Sequence, residues 1–312
     1  MKERTQIILK LITVQFVLPG ALILSAWLVR PYTRLLFLPV QTVLCLIFLS
    51  GYWEFFSRGL KYGFFLISEV CLLLILVHGL TIRDDSDHRL IPLLAFAVIQ
   101  LYLLILQVKV FIVMFRKTPE HVNIDFPLRN GTYLITDGGD SKISRLMNYH
   151  FYSGIHRKKD TYRSMRFATD IVKITPRHER PLPEQNDQYP VFGENIYSPM
   201  SGMVVKVEDG IRDNLPFSGK YPYNTGNTVV IRNGNCFCLL GHLQNGSILA
   251  REGEEVSAGD LIARAGNSGF SERPHLHMQL IRSESENFWS GNGICIRYDG
   301  RNLYKNRRIN IS

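Results

Sequence analysis

Cysteine is scarce: five in 312 residues, with no two at Cys-x-x-Cys spacing. That excludes a disulfide-stapled scaffold and a cysteine-rich zinc module. The chain also has no His-Glu-x-x-His motif, so no helix-borne glutamate can serve a metal in that arrangement. Internal repeats and low-complexity tracts are missing too. Polar disorder is excluded, because 46% of the residues are hydrophobic and that much apolar side chain cannot stay in water. Acidic residues are fewer than basic ones, 27 against 36, for a net charge of +9. Such an excess would ordinarily suggest nucleic acid. Here, however, residues 1–117 hold 12 Lys+Arg and 6 Asp+Glu, and the basic residues flank apolar runs. That pattern points to membrane anchoring, with no nucleic-acid partner expected.

What the first part does have is long hydrophobic segments. Four pass the length test for crossing a bilayer, roughly Gln6–Val29, Leu35–Phe56, Gly63–Ile82 and Leu90–Phe115, since a helix needs about 20 mainly apolar residues to span the hydrocarbon. Short polar breaks separate them, such as Arg30-Pro31-Tyr32-Thr33-Arg34 and the stretch from Arg83 to Arg89. The apolar region continues too far for a cleaved signal peptide. Glu54 and Lys109 are expected to snorkel at span ends, and Glu69 to face the bundle. Four spans place both termini on one side. That side carries Lys2, Arg4, Arg58, Lys61, Arg116 and Lys117, against Arg30, Arg34, Arg83 and Arg89 opposite. The charge rule taken alone leans towards the cytoplasm for the C-terminal part.

Residues 118–130 read as a linker, and residues 131–312 as a separate all-β domain of the barrel or sandwich kind. Short β-rich runs are broken by Gly, Asn, Asp and Pro. Candidate strands are Thr132–Thr136, Arg166–Ile174, Gly202–Glu208, Asn227–Arg232, Cys236–His242, Leu261–Ala265, His275–Arg282 and Gly293–Tyr298. Loops Thr175–Tyr189 and Gly210–Gly226 are long and polar, as loops rimming a site are. Arg177, Arg212 and Lys220 within them read as solvated charges. A biotinyl-carrier barrel would share some of the Gly turns, but the Met-Lys-Met tripeptide it needs is missing.

The chemistry concentrates in Pro274-His275-Leu276-His277-Met278-Gln279-Leu280. Side chains alternate across a strand. His275, His277 and Gln279 therefore share one face, and Leu276, Met278 and Leu280 the other. Two imidazoles side by side suit metal binding, catalysis or a pair of surface histidines. Upstream, His242 ends an apolar strand. Asp170 sits in the apolar run Arg166-Phe167-Ala168-Thr169-Asp170-Ile171-Val172, where a carboxylate needs either a metal or a cation. His78, His88, His121 and His178 lie in polar or interfacial settings and read as exposed.

Together these landmarks resemble the lysostaphin/LytM-type zinc endopeptidases, over roughly Gly131 to Asp299. In order they are the Asp170 strand, Tyr197-Ser198-Pro199-Met200-Ser201-Gly202, Gly226-Asn227-Thr228-Val229-Val230, Gly241-His242-Leu243, the Gly253…Val256…Gly259 turn, and Gly269 leading to His275-Leu276-His277. The resemblance implies that Asp170 and His277 are zinc ligands and that His242 and His275 are catalytic. The family's usual first ligand lies four residues before the Asp. That position is Arg166 here, which cannot ligate. A subset of similar sequences instead carries Gly-Gly…Asn-x-His ahead of the strand. Gly138-Gly139…Asn148-Tyr149-His150 matches it, which makes His150 the expected third ligand and His156 the fallback.

Three protein ligands leave one tetrahedral position open, the layout of a catalytic rather than a structural zinc. The implied activity is a membrane-anchored, multi-pass zinc metalloendopeptidase whose substrate is peptidoglycan or another peptide, with the catalytic domain outside the cytoplasm. Two other readings compete with it. One is a catalytically silent binding or regulatory module, which Arg166 favours. The other is a membrane transport or sensor protein with a β-barrel appendage, which the four spans favour.

Overall fold

The computed structural model describes residues 2–28, 33–81, 90–152, 161–175, 182–218, 221 and 225–312. His88, His156, Arg177, His178 and Lys220 lie outside the described residues. The chain divides into two compact units, Met1–Ile112 and Val113–Ser312.

The first unit is helical. Helices α1 (Lys2–Ile12) and α2 (Leu18–Leu28) are joined by a π-helical segment, Thr13–Val17, and are followed by α3 (Thr33–Ser50), α4 (Arg58–Thr81) and α5 (Leu90–Phe115). Among the described residues, three stretches are long and apolar enough to cross a membrane: Arg4–Leu28, Arg58–Gly79 and Leu93–Phe115. The second expected span is shorter than anticipated. Helix α3 stops at Ser50, and Trp53–Phe55 forms a separate 3₁₀ turn. The Gln15 side chain accepts from the Tyr52 amide, and the Trp53 indole donates to the Ile47 carbonyl at 2.9 Å. These polar contacts take the place of a further helical turn. Glu54 is buried in that turn instead of snorkelling. Glu69 is exposed on α4 and accepts from Gln41 Nε2 at 3.1 Å, so its partner is neutral.

The second unit is mainly antiparallel sheet. Its strands are β1 (His121–Asn123), β2 (Gly131–Asp137), β3 (Thr169–Ile174), β4 (Asn195–Tyr197), β5 (Gly202–Glu208), β6 (Asn227–Asn233), β7 (Cys236–Leu243), β8 (Glu255–Val256), β9 (Leu261–Arg264), β10 (Leu276–Arg282), β11 (Asn292–Tyr298), β12 (Arg301–Asn302) and β13 (Arg308–Ile311). The main path runs β13-β2-β3-β10-β7-β6-β5-β8, with β11 also paired to β10. Its two ends, β13 and β8, do not pair with each other among the described residues. The sheet is therefore open and no closed barrel forms. A two-stranded sheet, β4 with β9, adds Ile196 and Ala263 to the core.

Central strands β7 and β10 are buried on both faces. Leu276, Met278 and Leu280 of β10, with Cys238 and Leu240 of β7, enter the main core. The opposite faces bear Ile281, Phe237 and Leu239, which pack with Phe288 in a smaller cluster. His277 and Gln279 lie on this second face, as the alternation requires. Residues 275–280 thus divide between core and site by parity.

Candidate active site

Strand register assembles the site. In the antiparallel pairing, His277 of β10 stands opposite Asp170 of β3 on one side and Gly241 of β7 on the other. Directly opposed residues project to the same face at close range. The Asp170 carboxylate therefore meets the His277 ring, Oδ1 to Nδ1 at 2.9 Å.

His242 reaches this face by a different route. Simple alternation would send it into the core beside Leu240. Between Asn227/Leu243 and Val229/Leu240 the register shifts, so β7 carries one more residue than β6. This is a β-bulge, which re-aims side chains. His242 takes a left-handed φ of +58° there. Non-glycine residues in that region store about 1–3 kcal/mol of strain. Its amide donates to Thr225 and its carbonyl accepts from Gly266. The ring lies 4.8 Å from that of His275 and 5.5 Å from that of His277, centroid to centroid. Gly226, at φ +67°, packs so tightly on the Ser268 carbonyl that a Cβ would overlap it.

His150 comes from the chain between β2 and β3. After Asp137 the backbone turns through Gly138 and Gly139, the latter at φ +87°, a conformation that suits glycine. Asn148 then ties this segment to the end of β3, donating to the carbonyls of Gly139 and Ala168, each at 2.8 Å. His150 opens a short 3₁₀ turn, His150–Tyr152. Its Nε2 stands 3.3 Å from Asp170 Oδ1, and its ring centroid 4.9 Å from that of His277.

His150, Asp170 and His277 thus each offer one ligand atom, and these atoms all lie within 4.8 Å of one another. A tetrahedral metal with N and O ligands at 2.0–2.2 Å implies ligand separations of about 3.4 Å. The 3.3 Å contact matches that spacing, and the 2.9 Å contact falls somewhat inside it. His275 Nε2 is 3.5 Å from the same carboxylate oxygen. Arg166, at the family's usual ligand position, is engaged elsewhere, with Nε and Nη2 bonded to the two Asp140 oxygens at 2.8 and 2.6 Å. Asp170 has three imidazoles as neighbours and no lysine or arginine within ion-pair range among the described residues.

The electrostatics follow from burial and this clustering. At Asp170, burial opposes ionisation, but His150 and His275 outweigh it and hold the carboxyl well below its usual range. His242 is pushed well below the ordinary imidazole value, first by burial and then by His275 and His277. His277 is lowered mainly by burial. At His150 burial also opposes the charged form, yet the Asp170 charge and hydrogen bond raise it. An ionised carboxylate and a neutral, unprotonated His242 therefore coexist in one pocket.

Several orienting groups were not singled out by the sequence reading. His242 Nδ1 is 2.8 Å from the Ser268 carbonyl. His275 Nδ1 is 2.8 Å from the Arg273 carbonyl and 3.2 Å from Ser271 Oγ. His277 Nε2 is 3.2 Å from Gln279 Oε1. Alternation already places Gln279 on this face, though not as a partner of His277. The loop carbonyls have no signal in residue type. Both long polar loops send one asparagine to the same turn. Asn186 accepts from Asn267 Nδ2, and Asn214 donates to the carbonyls of Asn267, Gly269 and Ser271.

Residues 188–288 match Peptidase family M23. The peptidoglycan DD-endopeptidase ShyA of Vibrio cholerae is 31% identical over 113 residues, which cover 36% of this chain and 23% of that protein. Endolysin 2638A of Staphylococcus phage 2638A is 44% identical over 61 residues, 18% of this chain and 13% of the endolysin. The chain therefore spans less than a quarter of either relative. Among solved structures, a zinc-containing peptidase from Vibrio cholerae is 21% identical, covering 54% of this chain and 37% of that one at a TM-score of 0.32. The family match includes His242, His275 and His277 and begins after His150 and Asp170. Residues 188–288 are a peptidase M23 domain of the LytM/lysostaphin type, with the remaining two members of the cluster supplied by the chain just ahead of it.

Proposed function

We propose that the protein is a membrane-anchored zinc metalloendopeptidase that cleaves peptide bonds in peptidoglycan. The observation that carries this reading is the convergence of His150, Asp170 and His277 around one point, with His242 and His275 beside them. The donor set, two imidazoles and one carboxylate, is that of a catalytic zinc site. Zinc held there supplies a Lewis acid for the scissile carbonyl and activates water near neutral pH. The chain's own residues do the rest. Asp170 fixes the charge of the site. His242, kept unprotonated by burial, is suited to take up a proton. His275, whose Nδ1 is engaged by the Arg273 carbonyl, presents Nε2 to the pocket and is suited to hydrogen-bond a developing oxyanion.

The silent-module alternative rests on Arg166. Against it stands the placement of His150 beside Asp170, where a third ligand would lie, with Arg166 paired to Asp140 instead. The helices anchor the chain in the cell membrane, and the β unit faces the cell wall, outside the cytoplasm. Long domains cross membranes regardless of a small local charge bias. A reporter fused after Ser312 tests this placement, and a cytoplasmic result would remove peptidoglycan as substrate.

The central test is metal analysis of the full chain purified in detergent, together with digestion of isolated peptidoglycan. About one zinc per chain is expected, lost in His150→Ala and in His277→Ala, with peptide release abolished in both. Zinc retained in His150→Ala would remove that residue from the ligand set.

A further inference from the structure

We propose that Asn148 is a positioning residue that locks His150 in the tautomer with its proton on Nδ1, leaving the Nε2 lone pair for the metal. This rests on the metal-site reading above. A neutral imidazole carries one N–H and offers its other nitrogen as a lone pair, so a ligating histidine works only in the correct tautomer. His150 turns Nε2 towards Asp170 at 3.3 Å and Nδ1 towards Asn148 Oδ1 at 2.8 Å.

Which nitrogen holds the proton depends on which way round the amide sits. Here its orientation is over-determined. Asn148 Nδ2 lies 2.8 Å from two carbonyl oxygens, those of Gly139 and Ala168. Its Oδ1 also accepts from the His150 backbone amide at 3.1 Å. Turning the amide over would set an oxygen against two carbonyls and an NH₂ against an N–H. Oδ1 therefore faces the ring and can only accept, so Nδ1 must donate. Asn148 is fully buried, which keeps water from competing for these bonds.

Gln279 provides a contrast. Its Oε1 stands 3.2 Å from His277 Nε2, but its Nε2 has no hydrogen-bond partner among the described residues. That amide is not pinned, so it does not fix His277 as Asn148 fixes His150. The two imidazoles also face Asp170 through different nitrogens, Nε2 for His150 and Nδ1 for His277. The site needs opposite tautomers from two like residues, and only one of them has its orienting amide locked by backbone.

The experiment compares Asn148→Ala and Asn148→Asp with the unmutated full chain in detergent, measuring zinc affinity by competition with a chromophoric chelator and melting temperature in parallel. Loss of a partner that orients a metal ligand costs roughly 10- to 100-fold in metal affinity, and that loss is expected for Asn148→Ala. Asn148→Asp keeps an acceptor at Nδ1 while losing the donors to Gly139 and Ala168, so it should regain most of the zinc affinity without regaining stability. Wild-type affinity in Asn148→Ala, or equal losses in the two variants, would overturn the proposal. A readout that does not depend on either variant folding is taken from the unmutated chain. Two-bond ¹H–¹⁵N spectra of the metal-free, histidine-labelled protein, recorded at alkaline pH where the ring is neutral, should show the Nδ1–H pattern for the ring whose signals vanish in His150→Gln. An Nε2–H pattern would sink the idea. If the unmutated chain takes up no zinc, it is the metal-site reading that fails, and the tautomer spectrum still judges Asn148.

Discussion

The two units of this chain bury their polar groups in opposite ways. In the helical unit, large apolar side chains lie on the outside: Leu66, Leu74, Val98, Leu101 and Ile105 are all exposed. Its polar contacts are few, such as Gln100 with Thr42 at 3.1 Å and Gln107 with Cys45 Sγ at 3.1 Å. In the β unit the apolar groups are inside. Beyond residue 115, the only exposed large hydrophobics among the described residues are Leu146, Tyr149, Met203, Leu215, Leu249 and Leu261. The first arrangement is stable only where the surroundings are themselves apolar, and the second only in water. Chemistry that needs an ionised carboxylate among imidazoles belongs to the second. There the sheet brings Asp170 and the histidines together with fixed partners.

The sharpest way to break this contrast is at the site. His277→Ala should reduce peptide release from peptidoglycan to background and abolish zinc uptake, with the helical unit still inserted. Chelation with EDTA should do the same reversibly, and zinc should restore activity. His242→Gln or His275→Gln should lower turnover by about 100- to 10,000-fold while zinc content stays near one per chain. Loss of zinc in these variants would move the residue from proton transfer to ligation.

Smaller effects separate the two interiors. Leu240 is fully buried in the main core, and Leu240→Ala should cost about 2–5 kcal/mol, read from denaturant unfolding of the β unit. Ile105, exposed on α5, should tolerate Arg poorly, at roughly 2.5–3.5 kcal/mol against membrane insertion, measured by the inserted fraction after alkaline extraction. Leu249→Arg places the same charge on an exposed site of the β unit and should stay within about 0.5 kcal/mol. If Ile105→Arg proved as silent as Leu249→Arg, the lipid-facing assignment of α5 would be wrong.

Much of the fold was legible because its signals are local. Hydropathy marked the helices, although it overran at Leu35–Phe56. Composition there is mostly apolar, but Gly51 follows Ser50, and the contacts of Gln15 and Trp53 hold the chain in a separate turn beyond the end of α3. Alternation placed β5, β6, β7 and β10 to within a residue or two at each end. It missed β1, β4, β8, β12 and β13, which are two to four residues long and exist through their partners. The site was legible in part. His277 and Gln279 followed from parity, whereas the placement of His242 did not, because a bulge overrides parity at that point.

By itself the sequence determined which stretches are apolar, which strands alternate, and which residue types are available to hold a metal. These depend on side-chain chemistry at short range. Only the tertiary structure decided that His150, at the end of a glycine-led excursion, meets Asp170 and His277, and that Arg166 turns away to Asp140. Strand register between residues 107 positions apart sets the Asp170–His277 distance, while side-chain bonds to Asn148 and Asp140 place His150 and Arg166, and residue type alone encodes neither.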